Sequence, residues 1–253
     1  MLNIVIPMAG AGSRFQRAGY SEPKPLISLN GVPMIRLVID NLRPTVEHRF
    51  IFVCLSEHIS RYKLRERLLE WAPNSITLGI EGVTDGAACT VLKARAYIDN
   101  EASLMIANSD QYVNVDIDEY LKSFQLETLD GLIMTMKADD PKWSYVGLTK
   151  GQLVTKVVEK QVISDMATVG IYNFSKGSDF VRGADAMIAK NKRSANEFYV
   201  APVYNELLAL GSRVGIFDVG KEGEGMFGLG TPQDLRLFLS STVATKLART
   251  LKG

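Results

Sequence analysis

Residues 2–15, LNIVIPMAGAGSRF, pass from an unbroken apolar run into five consecutive small residues and then reach an arginine. The run at 2–8, ending on Met8, has the length and composition of a buried strand. Ala9, Gly10, Ala11, Gly12 and Ser13 follow, and such residues cost backbone entropy unless something must come close to the main chain. Directly after a first strand they would lie at the carboxyl edge of the sheet, where open α/β folds place ligands. Exposed amides there can hold phosphate oxygens, and Arg14 adds a charge-assisted donor. The stretch is neither a P-loop, since no Gly-Lys-Ser/Thr follows, nor a dinucleotide fingerprint, since the last glycine of GxGxxG is missing. A glycine turn that merely joins strand to helix is the plain alternative.

Outward from this turn, the apolar runs RFIFVCL (49–55), SLMIAN (103–108) and GLIMTM (131–136) read as further buried strands. Helical patterns separate them at 60–71, 87–98 and 116–126. Strands alternating with helices imply a mostly parallel sheet covered on both faces, because parallel strands need crossovers. After residue 140 the strands crowd together as SYVGLT, LVTKVVEK and ATVGIYNF, the first two joined by the turn KGQ at 150–152. That predicts an antiparallel elaboration lying over the sheet. Helices are expected at 175–191 and 200–210 and a strand at 213–219. A last helix over 231–253 is announced by TPQD, with Thr231 as cap and Pro232 at the first helical position.

The chain has 253 residues, 46% hydrophobic, and a formal net charge of +1. This supplies a core for one compact domain and no electrostatic case for nucleic acid or anionic membrane. No apolar span reaches membrane length, and no basic leader precedes the first strand. Cys54 and Cys89 lack metal-ligand spacing, which fits packed thiols in a reducing cytoplasm. His48 and His58 read as loop histidines without partners.

Residues 21–34, SEPKPLISLNGVPM, hold Lys24 between two prolines that fix φ and bias the lysine toward an extended backbone. Together GAGSR (10–14) and PKPL (23–26) resemble the sugar-1-phosphate nucleotidyltransferases, or nucleoside-diphosphate-sugar pyrophosphorylases. The resemblance extends along nearly the whole chain. EGVTDGAACTVLKA (81–94) is similar to the base-reading segment, ANSDQ (107–111) to the strand end with a metal-binding aspartate, and VVEKQ (157–161) to the acceptor-binding Glu-Lys motif. VGIYNF (169–174), NEFYVAPVYNELL (196–208) and GLGTPQDL (228–235) follow in the family's order.

The resemblance implies a single-domain, Rossmann-like, three-layer α/β/α fold of the nucleotide-diphospho-sugar transferase type. Its mixed sheet is mostly parallel and carries an antiparallel acceptor-site elaboration. Residues 1–140 would mainly bind nucleotide, 141–230 mainly acceptor, and 231–253 would form the C-terminal helix. In the implied reaction an acceptor phosphate oxygen attacks the α-phosphorus of a nucleoside triphosphate and expels pyrophosphate. Arg14 and Lys24 would be catalytic, neutralising charge on the phosphates. Met8, Ala9, Gly10, Ala11, Gly12, Ser13, Glu81, Gly86, Ala87 and Ser109 would contact the nucleotide. Tyr145, Gly147, Glu159, Lys160, Gly170 and Glu197 would contact the acceptor. Asp110 would hold Mg²⁺, an ion that shares its shell with phosphates. Taken alone, Asp110 could instead only cap the helix near Asp116, and Glu159 and Lys160 could be a surface pair.

Two departures qualify the resemblance. Many relatives carry Asp-x-Gly-Thr before the last helix, the aspartate being a second Mg²⁺ ligand, whereas Gly228 stands there in this chain. Asp218 is the candidate replacement, ahead of Glu222 and Glu224. Position 81 is glutamate where some uridylyl and thymidylyl enzymes have glutamine. A carboxylate only accepts hydrogen bonds, which favours an edge with N–H donors such as cytosine N4, and hence CTP. The acceptor would be a sugar 1-phosphate or another small phosphomonoester, of the kind activated for surface polysaccharide, capsule or lipid synthesis. Partners would otherwise be limited to further copies in a homo-oligomer. A nucleotide-sugar-dependent glycosyltransferase is one rival, although NSD lacks its Asp-x-Asp. A nucleotide-binding regulator without turnover is the other.

Overall fold

The computed structural model describes residues 1–250. The first strand, β1 (Leu2–Met8), leads through the small-residue turn into α1 (Ser13–Arg17), a 3₁₀ turn at Lys24–Leu26 and the short pair β2 (Ser28–Leu29) and β3 (Val32–Pro33). Next come α2 (Met34–Leu42), β4 (His48–Leu55), α3 (Ser56–Tyr62), α4 (Leu64–Trp71) and β5 (Ile76–Ile80). A second α/β stretch comprises α5 (Ala87–Val91), α6 (Arg95–Ile98), β6 (Leu104–Ala107), β7 (Gln111–Val113), α7 (Ile117–Leu126) and β8 (Gly131–Lys137). The antiparallel part is β9 (Ser144–Leu148), β10 (Val154–Glu159) and β11 (Met166–Phe174). After it come α8 (Gly177–Ala189), α9 (Tyr204–Leu208), β12 (Val214–Lys221), β13 (Met226–Gly228), α10 (Pro232–Leu239) and α11 (Thr242–Thr250).

One mixed sheet of nine strands organises these elements, with β6, β1, β4 and β5 parallel neighbours. Period-two alternation distributes each strand between two cores. Ile4 and Ile6 with Phe50 and Phe52 face α2, α4 and α7. Val5, Ile51 and Val53 face α5, α6, α8 and α9. This is the three-layer arrangement that the strand and helix pattern requires. A third apolar cluster, built on Phe15, Met34, Leu37, Phe227, Leu235 and Phe238, fastens α1 and α2 to β13, α10 and α11.

The antiparallel elaboration joins the same sheet through β11 and does not lie over it. β11 pairs with β6 through Ile171–Phe174, whereas its earlier residue Ala167 pairs with Tyr145 of β9. The changeover is at Gly170, with φ of 84°. A side chain there would strike the Asn108 amide, and Asn108 N–H donates to the Gly170 carbonyl at 3.0 Å. The sheet therefore forks at the end of β6, which opens a cleft in the fork.

Other expectations change in detail. The helix expected at 60–71 begins earlier and is cut into α3 and α4 by Lys63, whose φ is 48°. The 87–98 helix is α5, a 3₁₀ turn and α6, and the C-terminal helix breaks at Ser240–Ser241 into α10 and α11, with 251–253 outside the described residues. Neither α2 nor β5 is anticipated. ITLGI is a short edge strand, and MIRLVIDNL abuts the proline cassette, which masks its helical period.

Candidate active site

The turn after β1 is held by Gly12, whose left-handed φ of 62° lets its carbonyl accept from Phe15 and Gln16 at 3.0 and 3.2 Å. Phe15 is buried and pins the turn to the third core. Met8, Ala9, Gly10 and Ala11 thereby form one wall of a cleft of about 390 Å³. Lys24, Val83, Thr84, Gly86, Ala87 and Ser109 line the remainder. Gly12, Ser13 and the exposed Arg14 lie just past this wall.

Pro23 has φ −61° and ψ 145°, and its carbonyl accepts from Leu26 N–H at 2.8 Å. The braced 3₁₀ turn pairs the cleft-lining Lys24 with Asp110, which itself lines neither cleft, with Nζ 2.8 Å from Oδ2 and both side chains about a fifth exposed, 22% and 23%. Asp110 follows β6, and its carbonyl is fixed by Leu229 N–H at 2.8 Å. Gly230 leaves room beside the carboxylate, since a Cβ there would sit 2.8 Å from Asp110 Oδ2. One hard oxygen ligand facing a cradle that any side chain would fill suits Mg²⁺, which takes few protein ligands and completes its shell with phosphate and water.

In the fork of the sheet lies a second cleft of about 190 Å³, meeting the first at Ala87. Glu159, Gly170, Asn108, Trp143, Ser144, Thr168, Tyr172 and Tyr199 line it. Ser144 Oγ donates to Glu159, yet burial outweighs that bond and pushes the carboxyl above its ordinary range. Lys160 adopts φ of 56°, its N–H donating to Trp143 O at 3.0 Å and its Nζ to Tyr199 Oη at 2.7 Å. The hydrogen bond to Tyr199 raises the Lys160 pKa, so the ammonium stays charged at neutral pH.

Several expected residues stand elsewhere. Tyr145 is fully buried, because its position in β9 faces the core, and its hydroxyl donates to Asp140 O at 2.8 Å. Gly147 faces its cross-strand neighbour Lys156. Glu81 borders an outer groove that shares Val83 and Thr84 with the first cleft. Glu197 lines the first cleft, not the second. Asp218 is exposed, its Oδ1 accepting from Gly220 N–H at 2.9 Å, and it lines neither cleft. Among the described residues no group of three or more His, Cys, Asp or Glu side chains gathers as a metal cage. Trp143 and Thr168 carry no motif that would have singled them out, while Asn108 and Tyr199 lie within ANSDQ and NEFYVAPVYNELL beside Asp110 and Glu197. Cys54 is buried and Cys89 half-buried, both free thiols, and no described helix is long and apolar enough to cross a membrane.

Residues 4–201 match the Nucleotidyl transferase family. The chain belongs to that family of nucleotidyl-transferring enzymes. It is 25% identical over 180 residues to the bifunctional protein GlmU of Methanocaldococcus jannaschii, a match covering 69% of this chain and 40% of that protein. The chain thus spans about two fifths of the length of the curated relative. A nucleoside-diphosphate-sugar pyrophosphorylase from Vibrio cholerae superposes with a TM-score of 0.77 at 24% identity, covering 93% of this chain and 99% of that one. The inositol-1-phosphate CTP transferase of T. maritima gives 0.73 at 18% identity, over 99% and 96% of the two chains. These likenesses confirm the fold.

Proposed function

We propose that this protein couples a nucleoside triphosphate to a sugar 1-phosphate or a similar small phosphomonoester, releasing pyrophosphate with the help of Mg²⁺. The observation that carries the reading is the meeting of two clefts at Ala87, one bearing the braced Lys24–Asp110 pair and the other Glu159 beside the Lys160–Tyr199 contact. The division of labour is a nucleotide half over 1–140 and an acceptor half over 141–230, with Glu197 reaching back into the nucleotide side.

Attacker and target are both anionic, so charge neutralisation and alignment lower the barrier. The amides of residues 9–11, with Gly12, Ser13 and Arg14 beside them, bind the triphosphate. Lys24 neutralises charge developing between donor and acceptor as the acceptor oxygen bonds to the α-phosphorus and the bond to pyrophosphate breaks. Lys160 holds the acceptor phosphate, and Glu159 accepts from an acceptor hydroxyl. Asp110 would hold Mg²⁺, which when bound supplies positive charge at the phosphate oxygens. No protein nucleophile is needed. CTP is the favoured donor, because Glu81 sits at the rim next to Val83 and Thr84 and accepts from N–H donors only. The product would serve assembly of a surface polysaccharide, capsule or lipid.

The test is a matrix of CTP, UTP, dTTP, ATP and GTP against sugar 1-phosphates and other phosphomonoesters, scored by pyrophosphate. Acceptor-dependent release is expected with one base preferred. Transfer from a preformed nucleotide sugar would show a glycosyltransferase instead, and nucleotide binding without either reaction would show a regulator.

A further inference from the structure

Arg193 lies outside both clefts and carries more contacts than its place in a surface loop requires. Its Nη2 donates to Asp85 Oδ2 at 2.9 Å, its Nε to Asn191 Oδ1 at 2.8 Å and its Nη1 to the Asn196 carbonyl at 3.0 Å. Its guanidinium also sits 4.2 Å from the centre of the Phe198 ring, within range of a cation–π contact. Asp85 belongs to the turn before α5 that walls the nucleotide-side cleft. Asn196 and Phe198 flank Glu197, which lines that same cleft, and Phe198 precedes Tyr199, which lines the other.

The two segments are also joined through their backbones. Phe198 N–H donates to Asp85 O at 2.8 Å, and Ala88 N–H donates to Phe198 O at 3.0 Å. Gly86, with φ of 128°, makes this approach possible, since a Cβ would lie 2.5 Å from the Phe198 carbonyl oxygen. At the other end Lys190 and Lys192 both grip Glu206, a 4%-exposed carboxylate on α9. Between these anchors the loop turns through three non-glycine residues of positive φ, Asn191, Ala195 and Asn196. Asparagine tolerates that conformation locally, but Ala195 adopts it only because the surrounding contacts hold it.

We propose that Arg193 is a positioning residue that couples the two substrate sites, by fastening the turn at 83–88 to the segment 194–199 that carries Glu197 and Tyr199. Filling the nucleotide side fixes the turn, and Arg193 passes that order to the acceptor side through Asp85, Asn196 and Phe198. Coupling is reciprocal, so acceptor affinity rises with nucleotide bound and nucleotide affinity with acceptor bound. A planar fork is suited to this because it engages three partners at once, whereas a lysine offers a single charged point. The inference rests on the nucleotide assignment made above.

The test is hydrogen exchange of the full chain with and without a nucleoside triphosphate, comparing wild type with Arg193→Ala and Arg193→Lys. CTP, UTP, dTTP, ATP and GTP are each tried with Mg²⁺. In wild type the bound nucleotide is expected to slow exchange at 83–88 and at 194–199. In Arg193→Ala the protection at 83–88 persists while that at 194–199 falls about tenfold, within the usual span of a coupling between sites. Arg193→Lys, keeping the charge on Asp85 without the fork, recovers only part of it. Undiminished protection of 194–199 in Arg193→Ala overturns the proposal and leaves the nucleotide assignment intact. So does a wild-type protein protected at 83–88 alone. Absence of protection at 83–88 in wild type with every triphosphate overturns the nucleotide assignment, and the coupling with it. An Arg193→Ala protein that exchanges faster everywhere without nucleotide shows a merely structural role and also overturns the proposal.

Discussion

Replacing Gly230 by alanine tests the metal site at the point where the structure is most specific. The added Cβ would lie 2.8 Å from Asp110 Oδ2, against 3.4 Å where ordinary contact begins, so the carboxylate must retreat by about 0.6 Å (3.4 − 2.8). Mg²⁺ demands near-ideal octahedral geometry at about 2.0–2.1 Å and does not follow a displaced ligand easily. A shift of roughly a third of that bond length should raise the Mg²⁺ concentration for half-maximal rate about tenfold, or about 1.4 kcal/mol. The cost to folding is small, because the displaced atom ends a side chain and the largest bond at risk is the one to Lys24, worth about 1.5 kcal/mol. In a domain of this size that moves the melting temperature by about 3–6 °C. The assay is pyrophosphate release titrated with Mg²⁺ at fixed triphosphate, paired with equilibrium Mn²⁺ binding followed by electron paramagnetic resonance. A folded variant with wild-type Mg²⁺ half-saturation and wild-type Mn²⁺ affinity would refute the placement of metal at Asp110. A lower rate at saturating metal with unchanged half-saturation would assign the effect to Lys24 instead.

Lys24→Met should lower kcat by about 10²–10³ while shifting the melting temperature by only a few degrees, measured by initial rates and calorimetry. Equal losses in rate and stability would make the braced lysine a structural element. Glu159→Gln should raise the acceptor KM about tenfold, the size expected for a lost charged hydrogen bond. Burial holds the Glu159 pKa above its ordinary 4.5, so the folded protein keeps a proton that the unfolded chain has released. Wild-type stability is therefore reduced as pH rises through the window above 4.5, and glutamine removes that decline. Denaturant melts across pH should show the variant gaining on wild type toward neutrality, and a gain toward acid pH would contradict the desolvated environment.

Much of the architecture is legible in local pattern, because buried parallel strands are written as unbroken apolar runs. RFIFVCL and GLIMTM are found within a residue or two of where they form. The fork is not legible, since it depends on Gly170 meeting Asn108 across strands, and a lone glycine within VGIYNF says nothing about its neighbour. At the site, Met8, Ala9, Gly10 and Ala11 of the small-residue turn line the clefts with Lys24, Gly86, Ser109 and Glu159, whereas Arg14, Asp110 and Lys160 of the same motifs line neither, Asp110 and Lys160 meeting them through Lys24 and Tyr199. Tyr145 and Gly147 are misplaced because strand alternation sets which face a side chain meets, and a one-residue uncertainty in the turn reverses it. Asp218 illustrates a different limit, for a carboxylate near a strand end has no sequence mark telling whether it faces a cleft. Trp143, Asn108 and Tyr199 come together only when three separate segments fold.

The strand β11 gives its later half to the parallel sheet and its earlier half to the hairpin β9–β10, changing partners at Gly170. One continuous piece of backbone thus borders the second cleft, and the hairpin that walls that cleft hangs from it as a branch. Insertions, deletions or altered side chains in that branch can reshape the second cleft while the register of β1, β4 and β6 stays fixed. On the proposed assignment of the second cleft to the acceptor, nucleotidyl transfer and acceptor choice are separable as inherited traits, so a lineage built on this sheet can acquire new acceptors without reinventing its chemistry.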